Sequence, residues 1–217
     1  MFLSQPALIP IFFVVFLFSL SFHEAAHAWT ASKFGDSTGK DLGRVTLNPL
    51  PHIDIFGTIV FPIMCMLIPG ALMFGWAKPV PVNTRNMTDP KWGDIWVSAA
   101  GPLSNAFLVV CFFMLYRYLF VYPIIDPASF GSLAQPLEML CQFGLMLNVV
   151  LMVFNFLPIP PLDGSHVLRN LLPYNAAQVY QRFEVYGGFL LMLLVFTGVT
   201  SYIITPILKM VFFLVQL

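Results

Sequence analysis

The chain has 217 residues, of which 59% are hydrophobic and only 9% are charged, whereas roughly 25% of the residues in a soluble globular domain are charged. Ten basic side chains balance ten acidic ones, and the sequence has no polybasic run that would attract nucleic acid. The composition excludes a sizeable soluble domain. It predicts one integral membrane domain, residues 1–217, in contact with the lipid bilayer.

Four stretches of the chain approach or exceed the ~20 apolar residues that a helix needs to cross a bilayer. The sequence therefore predicts an all-α polytopic membrane protein with about four full transmembrane helices, at residues 6–32, 95–120, 137–157 and 185–205. The tail, residues 206–217, is too short to cross alone and is expected at the membrane interface.

The first predicted span ends with a motif typical of zinc hydrolases. Residues 23–27 read His-Glu-Ala-Ala-His, and on a helix this spacing places both imidazoles on one face, one turn apart, with Glu24 beside them. The pattern predicts that His23 and His27 bind zinc and that Glu24 is the base that activates water. The alternative is a histidine pair that hydrogen-bonds to neighbouring helices, but ionisable groups at this depth usually mark function.

A catalytic zinc ion needs a third protein ligand, and spacing alone does not choose it. The candidates near apolar spans are His52, Asp54, Asp163, His166 and Glu184. His52 and Asp54 are also candidates for orienting a ligand by a hydrogen bond, or for capping the start of the segment that follows them.

A second motif carries a resemblance to a known family. Residues 155–164, NFLPIPPLDG, match the pattern Asn-x-x-Pro-x-Pro-x-Leu-Asp-Gly at every defined position. Together with residues 23–27 they resemble the paired signature of the site-2 protease family of intramembrane zinc metalloproteases. Three further stretches extend the resemblance over residues 22–169: GRVTLNPLP from Gly43, GWAKPVPVN from Gly75 and AGPLSN from Ala100. The chain resembles the compact members of that family, which have no PDZ or CBS domain.

The resemblance implies that Asp163 is the third ligand of a single zinc ion per chain. It also assigns Asn155 to contacts with the substrate backbone or the reacting carbonyl. Asn105 is a second candidate for stabilising the transition state, although a hydrogen bond to a helix end explains it equally well. The implied activity is regulated intramembrane proteolysis, the hydrolysis of peptide bonds in transmembrane or membrane-tethered proteins.

A shared zinc site constrains the path of residues 52–74. If Asp163 binds the same zinc ion as the histidines, the first and third spans end near the same face of the membrane. The spans 95–120 and 137–157 already carry the chain across the membrane and back to that face. A single full crossing of the membrane by residues 52–74 is then excluded, and we expect a re-entrant or membrane-dipping segment there. The helix breakers within this stretch favour the same path: Gly57, Pro62, Pro69 and Gly70.

Basic residues flank this segment on both sides: Lys33, Lys40 and Arg44 before it, and Lys78, Arg85 and Lys91 after it. The positive-inside rule places both loops in the cytoplasm. We therefore expect the active site nearer the cytoplasmic face, in the cell (inner) membrane of a prokaryote. Short strands are predicted near the active site at residues 44–48 and 80–83, where an open edge would bind an unwound substrate segment.

Two other classes of function fit a membrane zinc site, a zinc carrier and a catalytically silent scaffold. A carrier needs ionisable residues along a path through several spans, whereas residues 95–120 and 137–157 contain only Arg117 and Glu138. A silent relic would have been free to lose Glu24 or Asp163. Both observations favour the protease.

Overall fold

The computed structural model describes residues 8–67 and 75–216, and within these ranges the chain consists of helices and connecting loops. The helices are α1 (Leu8–Lys33), α2 (Thr38–Asp41), α3 (Phe61–Leu67), α4 (Pro90–Tyr116), α5 (Ala134–Asn155), α6 (Asp163–Leu171), α7 (Tyr174–Phe196) and α8 (Val199–Gln216). Shorter helical turns occupy Leu50–His52, Ile55–Val60, Thr84–Asn86, Arg117–Val121 and Pro127–Leu133. The all-α prediction is confirmed.

Four of the described helical segments are long and apolar enough to cross a membrane: Leu8–Lys33, Pro90–Val121, Pro127–Asn155 and Tyr174–Phe196. The first three contain or overlap the predicted spans. The fourth predicted span, residues 185–205, has the wrong bounds because the helix ends at Phe196. Gly198 then has a positive φ of 76°, a conformation that glycine adopts without steric penalty, and it turns the chain into α8. Apolar residues continue across this turn, so hydropathy alone does not reveal it.

Helices α1, α4 and α5 form the centre of the bundle, and α6 packs on α4. Small residues allow the close approach of these helices. A Cβ atom at Gly144 of α5, for example, would lie only 2.5 Å from the Phe112 ring of α4. The tail expected at the membrane interface belongs to α8 as far as Gln216, and its buried Val215 packs with Leu108, Phe112 and Leu145. The tail therefore packs against α4 and α5 as part of the helix bundle. Its location at the interface stays a prediction.

The segment predicted to be re-entrant begins as a short helical stretch, Ile55–Leu67. Thirteen helical residues extend only about 20 Å, which is less than the ~30 Å hydrocarbon core of a bilayer. Beyond it the backbone returns beside its own start, because Trp76 N–H donates to the Gly57 carbonyl at 3.0 Å and Lys78 N–H to the His52 carbonyl at 2.9 Å. Residues 68–74 lie outside the described residues. The re-entrant path stays a prediction.

The two predicted strands are wrong, since the described part of the chain contains no strand. The reason is that several backbone donors in residues 44–48 and 80–83 are engaged elsewhere. The bonds are Arg44 N–H to the Gly39 carbonyl, Val80 N–H to the Glu24 carboxylate and Asn83 N–H to the Asp36 carboxylate. Pro79 and Pro81 have no N–H to offer to a neighbouring strand.

Candidate metal centre

The two histidines of the HExxH motif lie in the C-terminal part of α1 and face its neighbours in the bundle. Both are buried, with exposed fractions of 5% for His23 and 8% for His27. Their ring centroids are 4.7 Å apart and their Nε2 atoms 3.0 Å apart. One helical turn therefore brings both Nε2 atoms to a common point, as the i, i+4 spacing predicts.

Asp163 reaches the same point from a different element. It is the first residue of α6 and follows the proline-rich loop that leaves α5. Its Oδ2 lies 3.1 Å from Nε2 of His23, and its Oδ1 lies 3.5 Å from Nε2 of His27. Among the described residues, these three side chains form the one group of three or more His, Cys, Asp or Glu residues that could hold a metal ion.

The geometry of this cluster fits a tetrahedral zinc ion. Ligand atoms bound to one zinc at about 2.0–2.1 Å lie roughly 3.3 Å from one another, close to the separations of 3.0, 3.1 and 3.5 Å between these atoms. Buried Oδ2 of Asp163 has no hydrogen-bond partner among the described residues. Lone pairs that converge without a donor between them are stabilised by a cation.

Gly101 of α4 keeps the space beside the histidines open. A Cβ atom at this position would collide with Nε2 of His27 and would lie 2.5 Å from Nε2 of His23. Any side chain larger than hydrogen would thus occupy the volume in which both nitrogens could bind a metal. The glycine was noted in the sequence only within the stretch AGPLSN, and the structure gives it a role beside the histidines.

The other ring nitrogen of each histidine has its own hydrogen-bond acceptor. Nδ1 of His23 lies 2.6 Å from Oδ1 of Asn105, and Nδ1 of His27 lies 2.7 Å from the Val97 carbonyl. Because both acceptors lack a proton, each Nδ1 carries the hydrogen and each Nε2 presents its lone pair to the centre. The acceptors come from α4, which therefore sets the orientation of both rings.

Asn105 continues into a buried polar network that joins three helices. Its Nδ2 donates to Oδ1 of Asn148 on α5 at 2.8 Å, and Nδ2 of Asn148 donates to the Ser19 hydroxyl on α1 at 2.9 Å. All three side chains are fully buried. Transition-state support by Asn105 stays a prediction, and these bonds favour a role in orienting His23. Asn148 and Ser19 were missed, although a buried Asn within an apolar span is a recognisable signal.

Glu24 lies next to the cluster and is only partly buried. Its Oε2 accepts a hydrogen bond of 2.9 Å from the backbone N–H of Val80. Nearby Arg44 is buried with a 6% exposed fraction, and its guanidinium donates to the Lys78 carbonyl. Burial lowers the pKa of Arg44, and the negative charge of Glu24 raises it part of the way back. Sequence reasoning placed both Val80 and Arg44 in predicted strands near the active site but missed these contacts.

Three other predicted site residues do not join the ligand group. Asn155, at the end of α5, donates to the Leu151 carbonyl at 3.0 Å. His52 is buried, with Nε2 3.0 Å from the Thr46 carbonyl. Asp54 accepts from Gly57 N–H at 2.7 Å and so caps the helical turn that starts at Ile55, one of the two roles proposed for it.

The two remaining candidates for the third ligand belong to a separate polar cluster. Arg169 of α6 donates to buried Asp94 of α4 and to Glu184 of α7, both at 3.0 Å. Nδ1 of His166 lies 3.5 Å from Asp94. The cluster ties α6, whose first residue is Asp163, to the helices on either side of it. Asp94 was not singled out from the sequence.

A helical membrane bundle with two imidazoles and a carboxylate around one point has the architecture of a membrane metallohydrolase. The model of Peptidase family M50 matches residues 11–197. The chain therefore belongs to this family and is an integral membrane zinc metalloprotease of the site-2 type.

Curated relatives agree with the family. The chain is 38% identical to the "Putative zinc metalloprotease YwhC" of Bacillus subtilis, over 96% of this chain and 90% of that protein. It is 34% identical to the "Putative zinc metalloprotease Rip2" of Mycolicibacterium smegmatis, over 70% of this chain and 54% of that protein. A shorter match, 41% identity over 34% of this chain and 32% of the relative, is to the "Putative zinc metalloprotease MJ0611" of Methanocaldococcus jannaschii. No solved structure matches significantly.

Proposed function

We propose that the chain hydrolyses peptide bonds of transmembrane or membrane-tethered proteins within the bilayer, at one zinc ion held by His23, His27 and Asp163. The observation that carries the proposal is the convergence of these three side chains inside a bundle of membrane-length helices. The zinc, when bound, supplies a Lewis acid that polarises the scissile carbonyl and acidifies water.

Glu24 is the proposed general base. Its carboxylate takes a proton from the attacking water as the new C–O bond forms, and it delivers that proton to the leaving amine as the C–N bond breaks. The hydrogen bond from Val80 N–H engages Oε2. Proton transfer is assigned to the other oxygen, Oε1. Asn155 remains the proposed contact for the substrate backbone.

The depth of the two histidines below the polar end of α1 supports cleavage within the membrane. His27 and His23 lie about 9 and 15 Å from Lys33, at the end of α1, counting ~1.5 Å per helical residue. A substrate helix shields its own peptide bonds by hydrogen bonding, so it must unwind before its carbonyl reaches this depth. We propose that residues 52–74 dip into the membrane beside the site and line the watery cavity that hydrolysis requires.

The proposed orientation follows from charge. The basic residues in the loops on both sides of residues 52–74 favour a cytoplasmic location for the end of α1. The relatives named above are bacterial and archaeal, which supports the cell membrane of a prokaryote.

The experiment uses purified wild type and Glu24→Gln in detergent and in liposomes. The substrate probe is a synthetic peptide with one apolar segment interrupted by glycine and proline. Both proteins should hold about one zinc per chain, while only the wild type cleaves, because Gln cannot accept the proton. Mass spectrometry should map the cut within the apolar segment.

A cut confined to the polar flanks contradicts intramembrane cleavage, and equal cleavage by Glu24→Gln contradicts the role of Glu24. A zinc carrier would not depend on this base.

A further inference from the structure

An extended segment, residues 76–83, runs beside the C-terminal half of α1, and we call it the strap. Three backbone N–H groups anchor it along its length. Trp76 and Lys78 donate to the carbonyls of Gly57 and His52, and Asn83 donates to the Asp36 carboxylate at 2.7 Å. The strap is thus tied to the protein on both sides of its midpoint.

The midpoint of the strap is Pro79-Val80-Pro81. Proline has no N–H, so Val80 supplies the sole backbone donor of these three residues. That donor lies 2.9 Å from Oε2 of Glu24. The prolines also restrict the backbone on either side to extended conformations. Glu24 therefore faces a single donor whose direction is set by the local sequence.

Arg44 supports the strap at a further point. Its guanidinium donates to the carbonyl of Lys78, two residues before Val80. The side chain is buried with a 6% exposed fraction, and its Nε has no hydrogen-bond partner among the described residues. A buried guanidinium is costly unless its charge is balanced. The opposite charge that acts on the guanidinium here is that of the Glu24 carboxylate.

We propose that the strap positions the general base: Val80 N–H orients the Glu24 carboxylate, and Arg44 holds the strap in place through the Lys78 carbonyl. Val80 and Arg44 are positioning residues, because they act through Glu24. The proposal rests on the proposed function of Glu24. One carboxylate oxygen is held by Val80, and the other is left to face the attacking water.

The first test separates the effect of the Val80 N–H on kcat from the effect of the Val80 side chain. Val80→Pro removes both, whereas Val80→Ala removes only the side chain. We expect kcat of Val80→Pro to be about 100-fold below that of Val80→Ala, the loss that follows when a catalytic group shifts by about 1 Å. Zinc content and KM should be the same in the two variants. Equal kcat values, or a zinc content that falls in parallel with kcat, would overturn the proposal.

The second test concerns Arg44. Arg44→Met keeps a long side chain but has no donor, so it should lower kcat about 10-fold through a loosened strap, with KM and zinc content unchanged. Arg44→Lys should recover most of this loss, because an ammonium can still donate to the Lys78 carbonyl. Arg85→Met, at an exposed arginine just beyond the strap, is the matched control and should cleave like the wild type. No rescue by Lys, or an equal loss in Arg85→Met, would contradict the role of Arg44.

A third measurement does not depend on cleavage. In protein labelled isotopically at valine, the Val80 amide is assigned by the signal missing from Val80→Ala. Glu24→Ala removes its acceptor, so the Val80 amide resonance should shift more than that of any other valine. An unmoved resonance refutes the contact whatever the activity. A moved resonance in a protein that cleaves no peptide would overturn the proposed function and leave the Val80–Glu24 contact in place.

Discussion

The three candidate ligands are held in place by different means. His23 and His27 are fixed by α1 and by the carbonyl acceptors that α4 places behind each ring. Asp163 is the first residue of α6, and its Oδ2 has no hydrogen-bond partner in the described part of the chain. Orientation of the imidazoles therefore depends on α4, whereas the place of the carboxylate depends on how α6 is docked.

Asn105→Leu tests the support of His23. The substitution is close in size and removes the acceptor of Nδ1, so the ring should lose its fixed tautomer. We expect zinc affinity to fall about 10–100-fold, as is typical when the hydrogen-bond partner of a ligating histidine is lost. Competition with a chelator measures this affinity. Gln142→Leu, another polar residue of a membrane-length helix but outside the network, is the control. Unchanged affinity in Asn105→Leu would show that the contact does not orient His23.

Gly101→Ala tests whether the space beside the histidines is the metal site. The added Cβ would collide with Nε2 of His27. We expect zinc content to fall to near zero with the helices retained by circular dichroism. Gly188→Ala is a matched control, since its Cβ would meet no atom within 4 Å, and in a helix it should be neutral or stabilising by about 0.5–1 kcal/mol. Full zinc content in Gly101→Ala would place the metal elsewhere.

At the scale of elements, Asp36 connects the end of α1 to the strap and the turn after it. The side chain is fully buried, and it accepts hydrogen bonds from Thr38, Asn83 and Asn86. Asp36→Ala would leave the Asn83 N–H without its acceptor. We expect a loss of about 2–4 kcal/mol in the free energy of unfolding, measured as a lower Tm in detergent. An unchanged Tm would mean that water replaces these bonds at no cost.

The same carboxylate predicts a pH dependence of stability. Burial raises the pKa of Asp36, but the hydrogen bonds from Thr38, Asn83 and Asn86 outweigh it, so the net shift is below the ordinary value of 3.8. A lowered pKa in the folded state stabilises the protein above the unfolded-state pKa, and this contribution is lost as pH falls through the folded-state value. We expect the Tm of the metal-free wild type to fall more steeply below about pH 4 than that of Asp36→Asn. Parallel curves would contradict this assignment.

At the scale of the whole molecule, the fold predicts which loops lie on the same side of the membrane. If residues 52–74 are re-entrant, the loops before and after them lie on one side, and the loop after α4 lies on the other. In a chain without native cysteines, Asn48→Cys and Thr88→Cys should react with an impermeant thiol reagent from the same side of oriented vesicles. Ser129→Cys should react from the opposite side. Reaction of Asn48→Cys and Thr88→Cys from opposite sides would show that the segment crosses.

Several features of the protein follow from the sequence by itself. Hydropathy and low charge indicate the membrane and most of its spans, because the cost of burying polar groups in lipid applies to every residue of a span. The histidine pair follows from helical periodicity, because residues one turn apart share a face. The family motif at residues 155–164 then brings Asp163 to the same site by resemblance.

The tertiary structure decided the features that depend on contacts between distant residues. The hydrogen bond from His23 to Asn105 joins residues 82 positions apart, and that from Val80 to Glu24 joins residues 56 apart. No local period encodes such pairs. The predicted strand at residues 80–83 failed for the same reason, since the Val80 and Asn83 donors bind distant side chains. Gly101 likewise shows its role only once α4 lies against α1. Propensity and hydropathy describe one segment at a time, whereas the candidate metal centre and its proposed base are shaped where segments meet.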